Sequence, residues 1–189
     1  MCPLATIRYV PRQQHSRSAI LLSVPRRSFM DDVLANYRDG LKGRVEQDVP
    51  SFAPEAVHTA PILALLLEPD KSGAAGSRIV QVHNNDPTAR RTLKMINRAK
   101  LRADQYVLWN FYASFEAKTK VRHFWEEETK LLIKEMPNLK VVLVFGTDAW
   151  IGMRDVELPR GVALIGAPHP SNRGVMLDKS VAEEKIERA

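Results

Sequence analysis

Three stretches of this chain are apolar without a polar interruption: ILALLL in PILALLLEP, VVLVF before Gly146, and VALI before Gly166. None alternates between apolar and polar residues, so each predicts a strand covered on both faces, as in the middle of a parallel sheet. The spacing predicts strands over 62–67, 139–145 and 162–166, with a fourth over 106–109 from YVLW. The intervening segments are long enough for helical crossovers, which make connected strands parallel. The expected fold is therefore α/β, a three-layer α/β/α sandwich around a central four-stranded parallel sheet. The same runs are far too short to span a bilayer, so no membrane partner is expected.

Helices are expected between these strands. DDVLANYRDGL, from Asp31, carries acids at its start and a partial apolar face of Val33, Leu34, Tyr37 and Leu41. DVPSFAPEAVHTAP reads as a wrapping connection because of its prolines. Ile79, Val80 and Val82 suggest a short extended piece. Asp86 and Pro87 then form an N-cap and first-turn pair for a helix to about Ala99, with Ala89, Leu93, Ile96 and Ala99 buried and Arg90, Arg91, Lys94 and Arg98 outward. A longer helix is expected from about Glu116 to Met136, its stripe including Ala117, Val121, Phe124, Trp125 and Leu132, with Glu126–Glu128 on a solvent face. DKSVAEEKIERA, after Gly174, reads as a short mixed-charge helix.

Length allows one well-buried core in 189 residues. The expected organisation is a basic flexible tail over 1–28 and a single domain over 29–189. The tail holds five arginines from Arg8 to Arg27 and no acid, which suits either an organelle-targeting peptide or an ordinary frayed terminus. A cytoplasmic monomer is the expectation. With a single cysteine, Cys2, an intrachain disulfide and a cysteine-ligated iron-sulfur cluster are excluded. SGAAGS has the wrong spacing for a dinucleotide fingerprint, and no nucleotide-phosphate loop is present.

Parallel strands bring together whatever follows their carboxyl ends. That rule collects Glu68 and Asp70, Asn110 and Tyr112, Gly146 and Asp148, and the loop residues His169, Ser171, Asn172 and Arg173. A carboxylate, an amide and an imidazole from separate strand exits form a plausible reaction site. No histidine and carboxylate pair has ligand spacing, so neither metal nor other cofactor is expected.

The order of these pieces, LLLEP, then VLWN, then VVLVFG, then PHPS, resembles the uracil-DNA glycosylase superfamily over about Pro61 to Gly174. The resemblance implies hydrolysis of the N-glycosidic bond of uracil, or a related deaminated or mismatched base, in DNA. It implies that Glu68 orients the attacking water, that Asn110 reads the Watson-Crick edge of the flipped base, and that His169 stabilises charge on the departing base. Ser171 would grip phosphate, with Asn172 and Arg173 entering the duplex. Arg90, Arg91 and Lys94 are candidate phosphate contacts. The sequence departs from the family at two places: Glu68 stands where aspartate or asparagine is usual, and no Phe, Tyr or Trp lies between Ala53 and Gln105 to stack on the base. His83, or Tyr112 in FYASF, is the candidate substitute. Two other readings remain open at this point: a non-catalytic nucleic-acid-binding protein of the same fold, and a hydrolase or transferase acting on free nucleosides or nucleotides.

Overall fold

The computed structural model describes residues 32–171 apart from residue 72 and residues 116–120. The basic tail, the expected carboxyl-terminal helix, Asn172 and Arg173 lie outside the described residues. In chain order the elements are α1 (Asp32–Val45), β1 (Ser51–Phe52), β2 (Ile62–Leu66), α2 (Ala74–Ser77), β3 (Ile79–Val80) and α3 (Pro87–Arg98). A 3-10 turn at Ala103–Gln105 leads into β4 (Tyr106–Asn110), followed by α4 (Arg122–Lys134), β5 (Val141–Phe145), α5 (Thr147–Met153) and β6 (Ala163–Ala167).

The main sheet is four-stranded, in the order β4-β2-β5-β6, and every pairing is parallel. Helices flank it in a three-layer α/β/α arrangement. β2, β4 and β5 are buried along their whole length, as their unbroken apolar sequences require. Ile62, Ala64, Tyr106, Leu143 and Phe145 surround a small cavity beneath α3 together with Ile96. On the other face, Tyr37 of α1 approaches Phe52, which stacks on Trp109 of β4 with ring centroids 3.8 Å apart.

Three expectations need correction. β6 was expected to be as buried as the others, but it is an edge strand with Ala163 exposed and only Ala167 buried. β4 is the opposite edge and stays buried, with Phe52 of β1 stacked on its Trp109, so apolar character alone does not tell a covered edge strand from an open one. The connection at DVPSFAPEAVHTAP contains a strand: Ser51 and Phe52 pair in parallel with Ile79 and Val80. Its prolines flank the pair rather than interrupting it.

The third correction concerns α4. Val121 is its extended N-cap and is 60% exposed, so it does not belong to the apolar stripe. Glu128, expected on a solvent face, is buried at 4% exposure. Arg44 of α1 reaches it through Nε and Nη2, each 2.6 Å from a carboxylate oxygen, and the Tyr37 hydroxyl donates to the Glu128 carbonyl at 3.1 Å. Burial, followed by the nearby Glu128 charge, pushes the Tyr37 hydroxyl well above its ordinary pKa, so it remains a donor. Removing one partner from such a pair leaves a buried charge unsatisfied. Because the Arg44 side chain is 42% exposed, water screens part of that effect. Arg44→Ala should therefore lower stability by about 2 kcal/mol in urea unfolding. Adding Glu128→Leu to that variant should recover most of the loss.

Candidate active site

The sheet order places β2 and β5 side by side although the chain visits β4 between them. Such a reversal opens a crevice beyond the carboxyl ends of neighbouring strands. A cavity of about 570 Å³ occupies that position, within the usual size range of small-molecule sites. Its lining includes Glu68, Asn110, Asp148 and His169, so the exits of all four main strands converge as expected. The first turn of α3, through Asp86, Thr88 and Ala89, forms one wall.

Asn110 forms part of the floor. It ends β4 opposite Leu66 of β2, while Phe145 of β5 is registered with Ala167 of β6. The side chain is 2% exposed, and neither Nδ2 nor Oδ1 has a hydrogen-bond partner among the described residues. A buried amide ordinarily has its polar atoms satisfied. Here an unpaired donor and acceptor are buried in a residue that lines a ligand-sized cavity.

His169 enters from the opposite side and is half-buried. Its Nδ1 accepts the Ser171 backbone N–H at 3.1 Å, which leaves Nε2 to carry the proton in the neutral ring. Gly146 passes beneath the ring with φ +91°, and a Cβ there would lie 3.1 Å from the His169 Cβ. Both conformation and clearance favour glycine at this position. Burial holds the imidazole below its usual pKa, so the ring is neutral at neutral pH.

That depression has a signed consequence for stability. Below about pH 6.5 the unfolded chain takes up a proton at this histidine that the folded chain resists, so the folded state loses ground as pH falls. The loss runs from the unfolded midpoint down through the folded one. Urea midpoints of the wild type and His169→Asn should keep a constant separation above about pH 7 and shift against the wild type below about pH 6.5.

Glu68 is exposed at the rim of the cavity. Asp70 accepts the Gly73 N–H at 2.8 Å, and Asp86 caps α3 by accepting the Ala89 N–H, also at 2.8 Å. With Asp148, these give the lining four carboxylates against one lysine, Lys71. That field disfavours a phosphate inside the cavity and tolerates a neutral heterocycle.

Neither candidate for base stacking lies in the lining. From Val82 to Asp86 burial alternates, so His83 and Asn85 point outward while Asn84 and Asp86 point inward. Tyr112 packs edge-on against Phe111 and Trp125, with centroids 4.9 Å and 6.0 Å away. Phe145 is the aromatic carbocycle that does line the cavity, and sequence reasoning passed over it as the last residue of a core strand. Only the strand register reveals its place at the floor.

The three candidate phosphate contacts on α3 separate as well. Arg90 and Lys94 are exposed, Arg90 bonding Asn85 at 3.0 Å. Arg91 is half-buried, and its Nη1 donates to the Pro170 carbonyl at 3.3 Å. Ser171 is half-buried, with its backbone N–H engaged by His169. Among the described residues no group of three or more His, Cys, Asp or Glu is arranged to hold a metal ion, and no helix is long and apolar enough to cross a membrane. Comparison with protein-family models and with curated proteins returns no match.

Proposed function

We propose that this protein is a DNA glycosylase that hydrolyses the N-glycosidic bond of uracil, or of another deaminated base carrying the same edge, and leaves an abasic site. The observation that carries this reading is the buried amide of Asn110, without a hydrogen-bond partner among the described residues, on a residue that lines the same cavity as His169. Uracil offers an N3–H donor beside its O4 acceptor. Asn110 Oδ1 accepts from the first and Nδ2 donates to the second. Cytosine has the opposite polarity at both positions and would leave buried groups unpaired, at a cost of about 1–3 kcal/mol for each.

The base must leave the stack before its glycosidic carbon can be reached. The acidic cavity disfavours phosphate and tolerates a neutral ring, while Arg90 and Lys94 on the outer side of α3 provide cations for the phosphate backbone. As the bond between C1′ and N1 breaks, its electron pair moves onto the base and negative charge spreads to O2. The His169 Nε2–H donates to that oxygen. Glu68 at the rim orients a water for attack at C1′, accepts its proton, and stabilises the positive charge developing on the sugar. The enzyme acts as a monomer in the cytoplasm.

The decisive experiment incubates the full chain with oligonucleotides, single-stranded and duplex, containing uracil, thymine opposite guanine, or hypoxanthine, and then applies hot alkali. Strand scission at uracil, insensitive to chelator, is the expected result. Salt-sensitive binding with no released base would instead identify a non-catalytic nucleic-acid-binding protein.

A further inference from the structure

We propose that Arg91 is a positioning residue for His169, holding the histidine loop against α3 rather than gripping DNA phosphate. Its effect on catalysis rests on the glycosylase reading above, whereas its effect on the loop does not.

Arg91 differs from its basic neighbours in where its guanidinium goes. Arg90 and Lys94 are exposed, whereas Arg91 is half-buried and donates Nη1 to the carbonyl of Pro170 at 3.3 Å. Pro170 is buried, and it sits between His169 and Ser171. The residue before it carries the imidazole, and the residue after it supplies the N–H that occupies Nδ1. Holding Pro170 therefore constrains both the ring and the group that sets its tautomer.

The other side of the ring is already limited. Gly146 leaves only the clearance its missing side chain provides, with a Cβ position 3.1 Å from the His169 Cβ. The imidazole is thus confined between the exit of β5 and a loop tied to α3. The same helix supplies a cavity wall through Thr88 and Ala89, so a single rigid element sets both the wall and the distance to the opposing histidine. A planar guanidinium directs its N–H groups more narrowly than an ammonium does, which suits a spacer of this kind.

The test compares the full-length wild type with Arg91→Gln, Arg91→Lys and, as the phosphate-contact control, Arg90→Gln. NMR follows titration of the His169 ring, single-turnover assays measure base release at saturating uracil DNA, and binding is measured across a range of salt. Arg91→Gln should cut the saturated rate by about 10–100-fold, since small misplacements of a reacting group cost rates of this order. It should leave affinity and its salt slope at wild-type values, and it should move the His169 midpoint up toward the ordinary histidine range as the ring gains water. Arg91→Lys should recover part of both effects. The inference is overturned if Arg91→Gln leaves the His169 titration unchanged, whether affinity is also unchanged or falls with a salt slope reduced by about 0.9, as for a lost phosphate contact. Should Arg91→Gln fail to fold, the lysine variant carries the same comparison. A wild type that releases no uracil would sink the glycosylase reading, while the ring titration would still decide the role of Arg91.

Discussion

Replacing Asn110 with leucine is expected to yield a protein that is more stable than the wild type and inactive. The side chain is 2% exposed, and neither end of its amide has a partner among the described residues. Its immediate neighbour in register is Leu66, so an apolar replacement of similar volume meets an apolar surface. Removing an unsatisfied buried amide should raise the unfolding free energy by about 1 kcal/mol, readable as a higher urea midpoint with an unchanged slope. On the glycosylase reading, the same change also removes both contacts to the base edge. At about 1–3 kcal/mol per contact, the single-turnover rate should fall by roughly 10²–10⁴-fold. Asn110→Asp separates the two effects, because it keeps an acceptor for N3–H, loses the donor to O4, and adds a carboxylate to a cavity already lined by Glu68, Asp70 and Asp148. That variant should lose activity and stability together. If Asn110 served the fold alone, the leucine variant would keep its activity, and the assignment of the base pocket would fail.

This expected opposition between stability and the proposed function is what makes the site readable. A strand of five buried residues ending in an unpaired amide breaks the rule that buried polar groups are satisfied. In the sequence only half of that is visible: YVLWN announces a strand and places a polar residue at its end, but burial and the lack of partners require the structure. The same limit explains Phe145. Apolar and terminal in its strand, it is indistinguishable by composition from Leu66, and its position at the cavity depends on which strands are neighbours. Glu128 shows the converse case. EEE followed by Thr129 and Lys130 looks solvated because local sequence contains no hint of Arg44, which arrives from α1. His83 and Tyr112 were candidates because the chemistry calls for a flat surface, and the backbone alternation after Val82 and the packing of Trp125 send them elsewhere. What was legible, the convergence of Glu68, Asn110 and His169, follows from strand polarity alone, since parallel strands deliver their exits to one edge.

His169 supplies the second large effect, and its test can separate stabilisation of the leaving group from simple shape. The Ser171 N–H occupies Nδ1, so the neutral ring carries its proton on Nε2, in a residue that lines the cavity. A donor aimed at charge that develops only as the bond breaks contributes about 10²–10³-fold in rate when it is preorganised in a water-poor site. His169→Ala should therefore lower single-turnover release of uracil by about that factor while leaving DNA affinity nearly unchanged. The size of the loss should depend on the base. A 5-fluorinated uracil is a more acidic leaving group and needs less help with its charge, so its release should be far less sensitive to the substitution. A purely steric role predicts equal losses for the two bases, because fluorine scarcely alters the edge that Asn110 is proposed to read. Gly146→Ala makes the complementary change. It keeps the imidazole but places a methyl 3.1 Å from its Cβ, and it forces φ +91° on a residue with a side chain. The expected outcome is a displaced donor, with the rate falling for uracil more than for the fluorinated base, as in His169→Ala. Equal sensitivity of the two bases in both variants would remove His169 from the chemistry and leave it as a wall of the cavity.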